Sequence, residues 1–238
     1  MYIRQRMKNF LKKLWRFTKR LAIWFFILSI ASTILFRFVP VPVTPLMLER
    51  CLEQVFDSKK KLKLDKDWVS SEKMSPSIKL AVIAAEDQNF EDHYGFDLEA
   101  IQKAQAYNER HKGKRIKGAS TISQQTAKNV YLWPSRSWIR KGFEVYFTFL
   151  IELLWSKERI LEVYLNVIEM GDGIYGVEAA SQAYFHKPAN RLSIKEAALI
   201  AAVLPNPRKW SPARPNSYIQ RRQERIVRAM SKLPSVDL

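Results

Sequence analysis

Four carboxylates crowd the stretch AAEDQNFEDHYG, residues 84–95, of a chain whose net charge is +17. The spacing predicts a helix over 76–90, which puts Glu86 on one face with Val82, Ile83 and Phe90, at the edge of apolar packing. Desolvation there raises a carboxylate's pKa and makes it a proton acceptor near neutral pH. The plain alternative is a helix end whose acids face water, although acids at a C-terminus oppose the helix dipole. Glu91 and Asp92 read as a solvated turn.

Two further stretches carry the opposite chemistry. In GASTISQQTAKN, residues 118–129, Gly118 permits close backbone approach. Ser120 and Thr121 stand at a helix start, where free N–H groups favour an anion. Gln124, Gln125 and Lys128 lie one turn apart and can face a common cleft. In RSWIRKGFE, residues 136–144, Arg136, Arg140 and Glu144 stripe one helix face. Beside Lys128, the two guanidiniums can grip phosphate oxygens bidentately. The ordinary readings are a capped amphipathic helix and an Arg–Glu pair worth a few tenths of a kcal/mol.

These groups must be held by something, and the pattern is helical almost throughout. Ser75-Pro76 reads as N-cap and first helical residue. Asp97 caps a helix over 98–110, and Thr121 with Gln124 forms a capping box for 122–131. Trp133-Pro134 is a break before an apolar helix over 137–155, which reads as a buried central helix. Ser156 caps 157–166. GDGIYG, residues 171–176, is a turn. Helices over 176–185, 194–204 (capping box Ser193 and Glu196) and 216–232 close the chain. The basic, Gly-flanked HKGKRIKG, residues 111–118, reads as a mobile loop. No alternating pattern is long enough for a major sheet.

The 238 residues, 47% hydrophobic, suffice for one substantial domain plus an appendage. The one cysteine, Cys51, excludes an intrachain disulfide. The first 20 residues hold Arg4, Arg6, Lys8, Lys12, Lys13, Arg16, Lys19 and Arg20 without an acid, and an uncharged run follows over 21–36. This predicts a basic cytoplasmic tail over 1–19 and a single membrane span over 20–41, with the rest of the chain on the far side. A cleaved signal peptide ending near Ser29-Ile30-Ala31 is the alternative. It fits less well, because the basic region is long and the apolar run exceeds a signal core. The Pro-rich 39–45 and the charged 59–67 make 42–74 a stalk and connector, leaving 75–238 as the outer domain. Without the first 20 residues the net charge is still +9, which suits an anionic ligand beside a membrane.

In order along the chain, EDxxFxxHxG (Glu86 to Gly95), GxSTIxQQxxKN (Gly118 to Asn129), RKxxE (Arg140 to Glu144) and KxxILExYLN (Lys157 to Asn166) resemble the successive motifs of the peptidoglycan glycosyltransferases. The resemblance covers about residues 75–230. It implies a mainly α, lysozyme-like domain that polymerises lipid II on the outer face of the bacterial inner membrane. It implies Glu86 as the base that takes the proton of the acceptor's 4-hydroxyl, and Glu144 as a second essential carboxylate. Lys128 and Arg136 then stabilise the departing undecaprenyl pyrophosphate, while Ser120, Gln124 and Gln125 line the donor site. Asp87, Phe90 and His93 match motif positions that shape the cleft. The family commonly uses a divalent cation, expected at the pyrophosphate. His93, His111 and His186 are widely separated and mark no dedicated metal site. The implied partners are lipid II, the growing glycan, the membrane, and proteins of cell-wall synthesis or division. Ser70-x-x-Lys73 matches a penicillin-binding nucleophile motif only superficially, since no KTG or SDN accompanies it.

Three rivals are weaker. A lytic enzyme of the same fold needs no pyrophosphate grip. A lipid-binding scaffold has no use for Glu86. For nucleic-acid binding no recognition module is legible.

Overall fold

A computed structural model describes residues 2–57, 61–111, 117–135 and 137–233. The chain divides into two units, 1–39 and 40–238. The first is one helix, α1 (Tyr2–Phe38), which continues the basic tail into the apolar run without a break. It is the one described helix long and apolar enough to cross a membrane. It stops at Phe38 rather than 41. Val39 N–H still reaches Leu35 O at 3.1 Å, but Pro40 and Pro42 have no N–H to carry the ladder on.

The second unit starts well before Ser75. The segment read as stalk holds α2 (Pro45–Phe56), capped by Thr44, and β1 (Asp65–Lys66). Amphipathic α2 buries Met47 and Gln54, and it packs on a later helix, so tertiary contact rather than propensity holds it. The remaining helices are α3 (Pro76–Glu86), α4 (Leu98–Arg110), α5 (Ile122–Tyr131), α6 (Trp138–Leu154), α7 (Lys157–Val167), α8 (Val177–Phe185), α9 (Ile194–Val203) and α10 (Ser217–Met230). Their starts follow their caps: Ser75, Asp97, Ser137, Ser156 and Asn216 each accept a backbone N–H, and capping boxes form at Thr121–Gln124 and Ser193–Glu196.

One helix end differs from the sequence expectation. Helix α3 stops at Glu86, not 90, because Asp87 turns away at φ −161°, ψ 80° while its N–H closes on Ile83 O. Phe90 therefore leaves the helix face of Glu86, yet it is fully buried in the turn that follows. The turn at 171–176 is a small hairpin of β2 (Glu169–Gly171) and β3 (Ile174–Tyr175). β1 joins β3 in parallel, giving the order β1-β3-β2.

Two helix groups make the core. α3 packs on α9 and α10, and α5 packs on α6 and α7. α7 is deeply enclosed, with Ile160, Val163, Tyr164 and Leu165 fully buried. Gly176 starts α8 at φ +81°, where an added Cβ would lie 2.8 Å from Asn166 O. Asn166 is itself fixed, its side chain bonding both the N–H and the carbonyl of Val69 at 2.9 Å. Gly176→Ala is therefore expected to cost about 1–3 kcal/mol. Thermal unfolding of the detergent-solubilised protein checks this, and an unchanged Tm would contradict it.

Candidate active site

Glu86 is the last residue of α3, at the junction of the two helix groups. Its side chain is 16% exposed. Both oxygens are held: Gln125 Nε2 of α5 donates to Oε2 at 3.0 Å, and Arg222 Nη2 of α10 lies 3.4 Å from Oε1. Gln125 is in turn oriented by Tyr164 of α7, whose hydroxyl donates to its Oε1 at 3.3 Å. Burial pushes the Glu86 carboxyl above its ordinary value, opposed by Gln125, Arg222 and Lys128. The group is thus a carboxylate kept on the basic side of its normal range.

Lys128, one turn beyond Gln125 on α5, is half-buried. Burial pulls its ammonium below the usual lysine value, and the nearby Glu144 resists that pull. Lys128, Asn129 and Arg140 line a cavity of about 460 Å³ with Arg50, Leu46 and Trp133. Arg50, Lys128 and Arg140 supply its cations, and Leu46, Leu132, Trp133 and Pro134 its apolar part. Glu86 does not line this cavity; Lys128 is the residue that feels both the cavity's charges and the Glu86 carboxylate.

Glu144, only 3% exposed, is bracketed by Arg140 Nη1 at 2.6 Å and by the Lys141 ammonium. A carboxylate so enclosed by two cations is suited to hold them in place. Arg136 lies outside the described residues, as do 112–116 of the loop read as mobile.

The start of α5 departs from expectation. Its N-terminus already has its anion: Asp87 Oδ2 accepts the Ile122 N–H at 2.9 Å. Thr121 is 2% exposed and serves as N-cap, while its hydroxyl donates to Gly95 O at 2.7 Å. Gln124 closes the capping box by accepting the Thr121 N–H at 3.1 Å, so it is turned away from the cleft that Gln125 faces. Ser120 is exposed just ahead of the helix, and Gly118 has open space where a Cβ would stand. Asp87, Thr121 and Gln124 thus tie the helix start to the turn that follows α3.

The cleft-shaping residues come together as one support. His93 Nε2 sits 2.9 Å from Asp87 Oδ1. Lys157 donates to His93 O at 2.5 Å and to Glu152 at 2.8 Å, and lies 4.7 Å over the Phe90 ring. Gly95, at φ +82°, leaves no room for a Cβ against Thr148. Asn129 donates to Gln125 O at 2.8 Å, which steadies the turn carrying Gln125 and Lys128. Sequence reasoning missed Arg222, Arg50 and Leu46. The first sits among several basic residues of α10, and the other two fall in a segment read as stalk.

A sheltered carboxylate among helices, with cations nearby, suits the lysozyme-like glycosyltransferase class that the sequence motifs resemble. The sequence model of the Transglycosylase family matches residues 53–231. The chain is 54% identical over 224 residues to a biosynthetic peptidoglycan transglycosylase of Bacteroides thetaiotaomicron, covering 94% of this chain and 89% of the relative. It is 57% identical over 203 residues to the protein of that name from Bdellovibrio bacteriovorus, covering 85% and 80%. The Mannheimia succiniciproducens protein is 54% identical over 226 residues, covering 95% and 90%. The chain belongs to the transglycosylase family.

Proposed function

We infer that this chain is a peptidoglycan glycosyltransferase that polymerises lipid II into linear glycan strands. The observation that carries the reading is a half-buried Glu86 held by Gln125 and Arg222, with Lys128, one turn beyond Gln125 on the same helix, lining a cation-bearing cavity. Glu86 takes the proton of the acceptor's 4-hydroxyl as that oxygen bonds to the anomeric carbon of the growing chain. The bond from that carbon to the diphosphate oxygen breaks, the electron pair leaves with the diphosphate, and the configuration inverts. Lys128 and Arg140, with Arg136, stabilise the charge that develops on the leaving group. Glu144 keeps Arg140 and Lys141 aligned for that task. The apolar part of the cavity suits the first units of the lipid tail.

Among the described residues no group of three or more His, Cys, Asp or Glu gathers to hold a metal ion. Glu86 and Glu144 are both engaged by cations. A divalent cation is proposed as a companion of the diphosphate oxygens.

Helix α1 is compatible with a single-pass anchor. The cluster of Lys and Arg before its apolar run supports a cytoplasmic N-terminus and a catalytic unit on the outer face of the inner membrane. Proteins of cell-wall synthesis or division are the proposed partners.

The deciding experiment gives the purified protein lipid II and, separately, finished glycan. Long chains from lipid II are expected. Shortening of finished glycan without growth would support the lytic alternative instead.

A further inference from the structure

We propose that Arg222 is a positioning residue for the base: with Gln125 it grips the two oxygens of Glu86 and fixes the orientation from which the proton is taken. This rests on the reading of Glu86 as the base.

The placement of Arg222 is unusual for its helix. On α10, Ile219, Ile226 and Met230 form the buried stripe against α3 and α9. Arg222 falls on that same stripe, three residues after Ile219 and four before Ile226, where an apolar side chain is expected. Its neighbours Arg221, Arg225 and Arg228 are exposed, whereas Arg222 is half-buried. Its guanidinium is anchored at a second point, with Nε donating to Ala202 O near the end of α9 at 3.1 Å. The planar head therefore cannot swing freely, and Nη2 is aimed at Glu86 Oε1 across 136 residues of sequence.

A carboxylate touched at one oxygen can still rotate about its terminal torsion, which is broad. Contacts at Oε2 from Gln125 and at Oε1 from Arg222 oppose that rotation. The amide of Gln125 is itself set by the Tyr164 hydroxyl, so the chain of contacts runs from α7 through α5 and α3 to α10 and α9. An ordinary ion pair serving stability alone would not need this second anchor, nor the paired amide.

The charged and titratable groups facing Glu86 are Arg222 from α10, Lys128 from α5, Tyr164 from α7 and its chain neighbour Asp87. Arg222 favours the ionised carboxylate. Its removal raises the carboxyl further, so a base that must be ionised loses activity starting from a higher pH. The acid limb of the pH–rate profile therefore moves up. Lys128 is untouched by the change.

The test measures kcat and KM for lipid II polymerisation across pH, with Tm, on full-length protein in detergent. Wild type, Arg222→Gln, Arg222→Lys and Glu86→Gln are compared. For Arg222→Gln a loss of about tenfold or more in kcat is expected at neutral pH, with KM little changed and the acid limb displaced upward. Arg222→Lys is expected to bring the limb back toward the wild-type position while kcat stays low, because an ammonium cannot serve both Ala202 O and Glu86. A pH-independent loss with a lowered Tm, or a wild-type profile, would overturn the proposal. If Arg222→Gln does not fold, Arg222→Lys decides by itself: wild-type kcat overturns the proposal, and low kcat at unchanged KM and Tm supports it. An active Glu86→Gln would instead remove the base reading itself. An inactive Glu86→Gln beside an unaltered Arg222→Gln profile would remove only the positioning role.

Discussion

Lys128→Met is expected to slow lipid II polymerisation by about 10² to 10³ in kcat, with a much smaller change in KM. The methionine keeps the apolar stem of the lysine and deletes the ammonium, its charge and its donors together. That charge matters most in the transition state, when the bond to the diphosphate oxygen is breaking and negative charge collects there. Arg140 remains in the cavity wall to bind the ground state, which is why KM is expected to hold. Burial has already lowered the Lys128 pKa. Activity that needs the ammonium is therefore lost, as pH rises, before an ordinary lysine would titrate. The alkaline limb of the wild-type profile is expected below the usual lysine range, and a profile flat through that range would count against the role.

Glu86→Gln is expected to remove about 10² to 10⁴ of the rate, the usual contribution of a positioned base. Glutamine fills the same space, but its NH2 replaces one of the two oxygens that accept from Gln125 and Arg222, so it keeps only one of those contacts, and it has no proton affinity to offer the acceptor hydroxyl. The wild-type acid limb should lie above the ordinary glutamate range, since burial is the largest influence on this carboxyl and favours its neutral form. The sign for stability is the same. A carboxyl whose folded pKa is raised costs stability as pH climbs through the interval between its unfolded and folded values, and that cost persists above it. The variant escapes that cost, but the lost contact opposes this gain, so Tm measured beside activity separates lost catalysis from unfolding.

The residues that do the proposed chemistry were largely legible because each sits in a local pattern. Glu86 ends an apolar helix, and Gln125 and Lys128 share a turn of α5. Arg140 and Glu144 are four apart, and their ion pair forms as that spacing dictates. Caps were legible for the same reason, since Ser75, Thr121 and Ser193 act on N–H groups within three residues. What was not legible depends on contacts far apart in sequence. The premature end of α3 follows from Asp87 reaching the start of α5, 35 residues on. Arg222 could not be told from Arg221 or Arg225 without knowing which side of α10 meets α9. Leu46 and Arg50 looked like stalk because the signals nearest them were prolines and charges. Packing against α5 makes α2 a wall of the cavity. The start of α5 shows the same dependence: an open helix start suggests a free anion site, and Asp87, far off in sequence, accepts the Ile122 N–H there.

The central claim is that one sheltered carboxylate activates the acceptor while the neighbouring cations release the diphosphate. It is tested most directly by giving labelled lipid II to wild type and to Glu86→Gln at matched concentration and Tm, and following glycan chains and free undecaprenyl pyrophosphate together. The account predicts that wild type yields both in step and that Glu86→Gln yields neither, although it still binds lipid II. Chain growth by Glu86→Gln at a rate near wild type would contradict it.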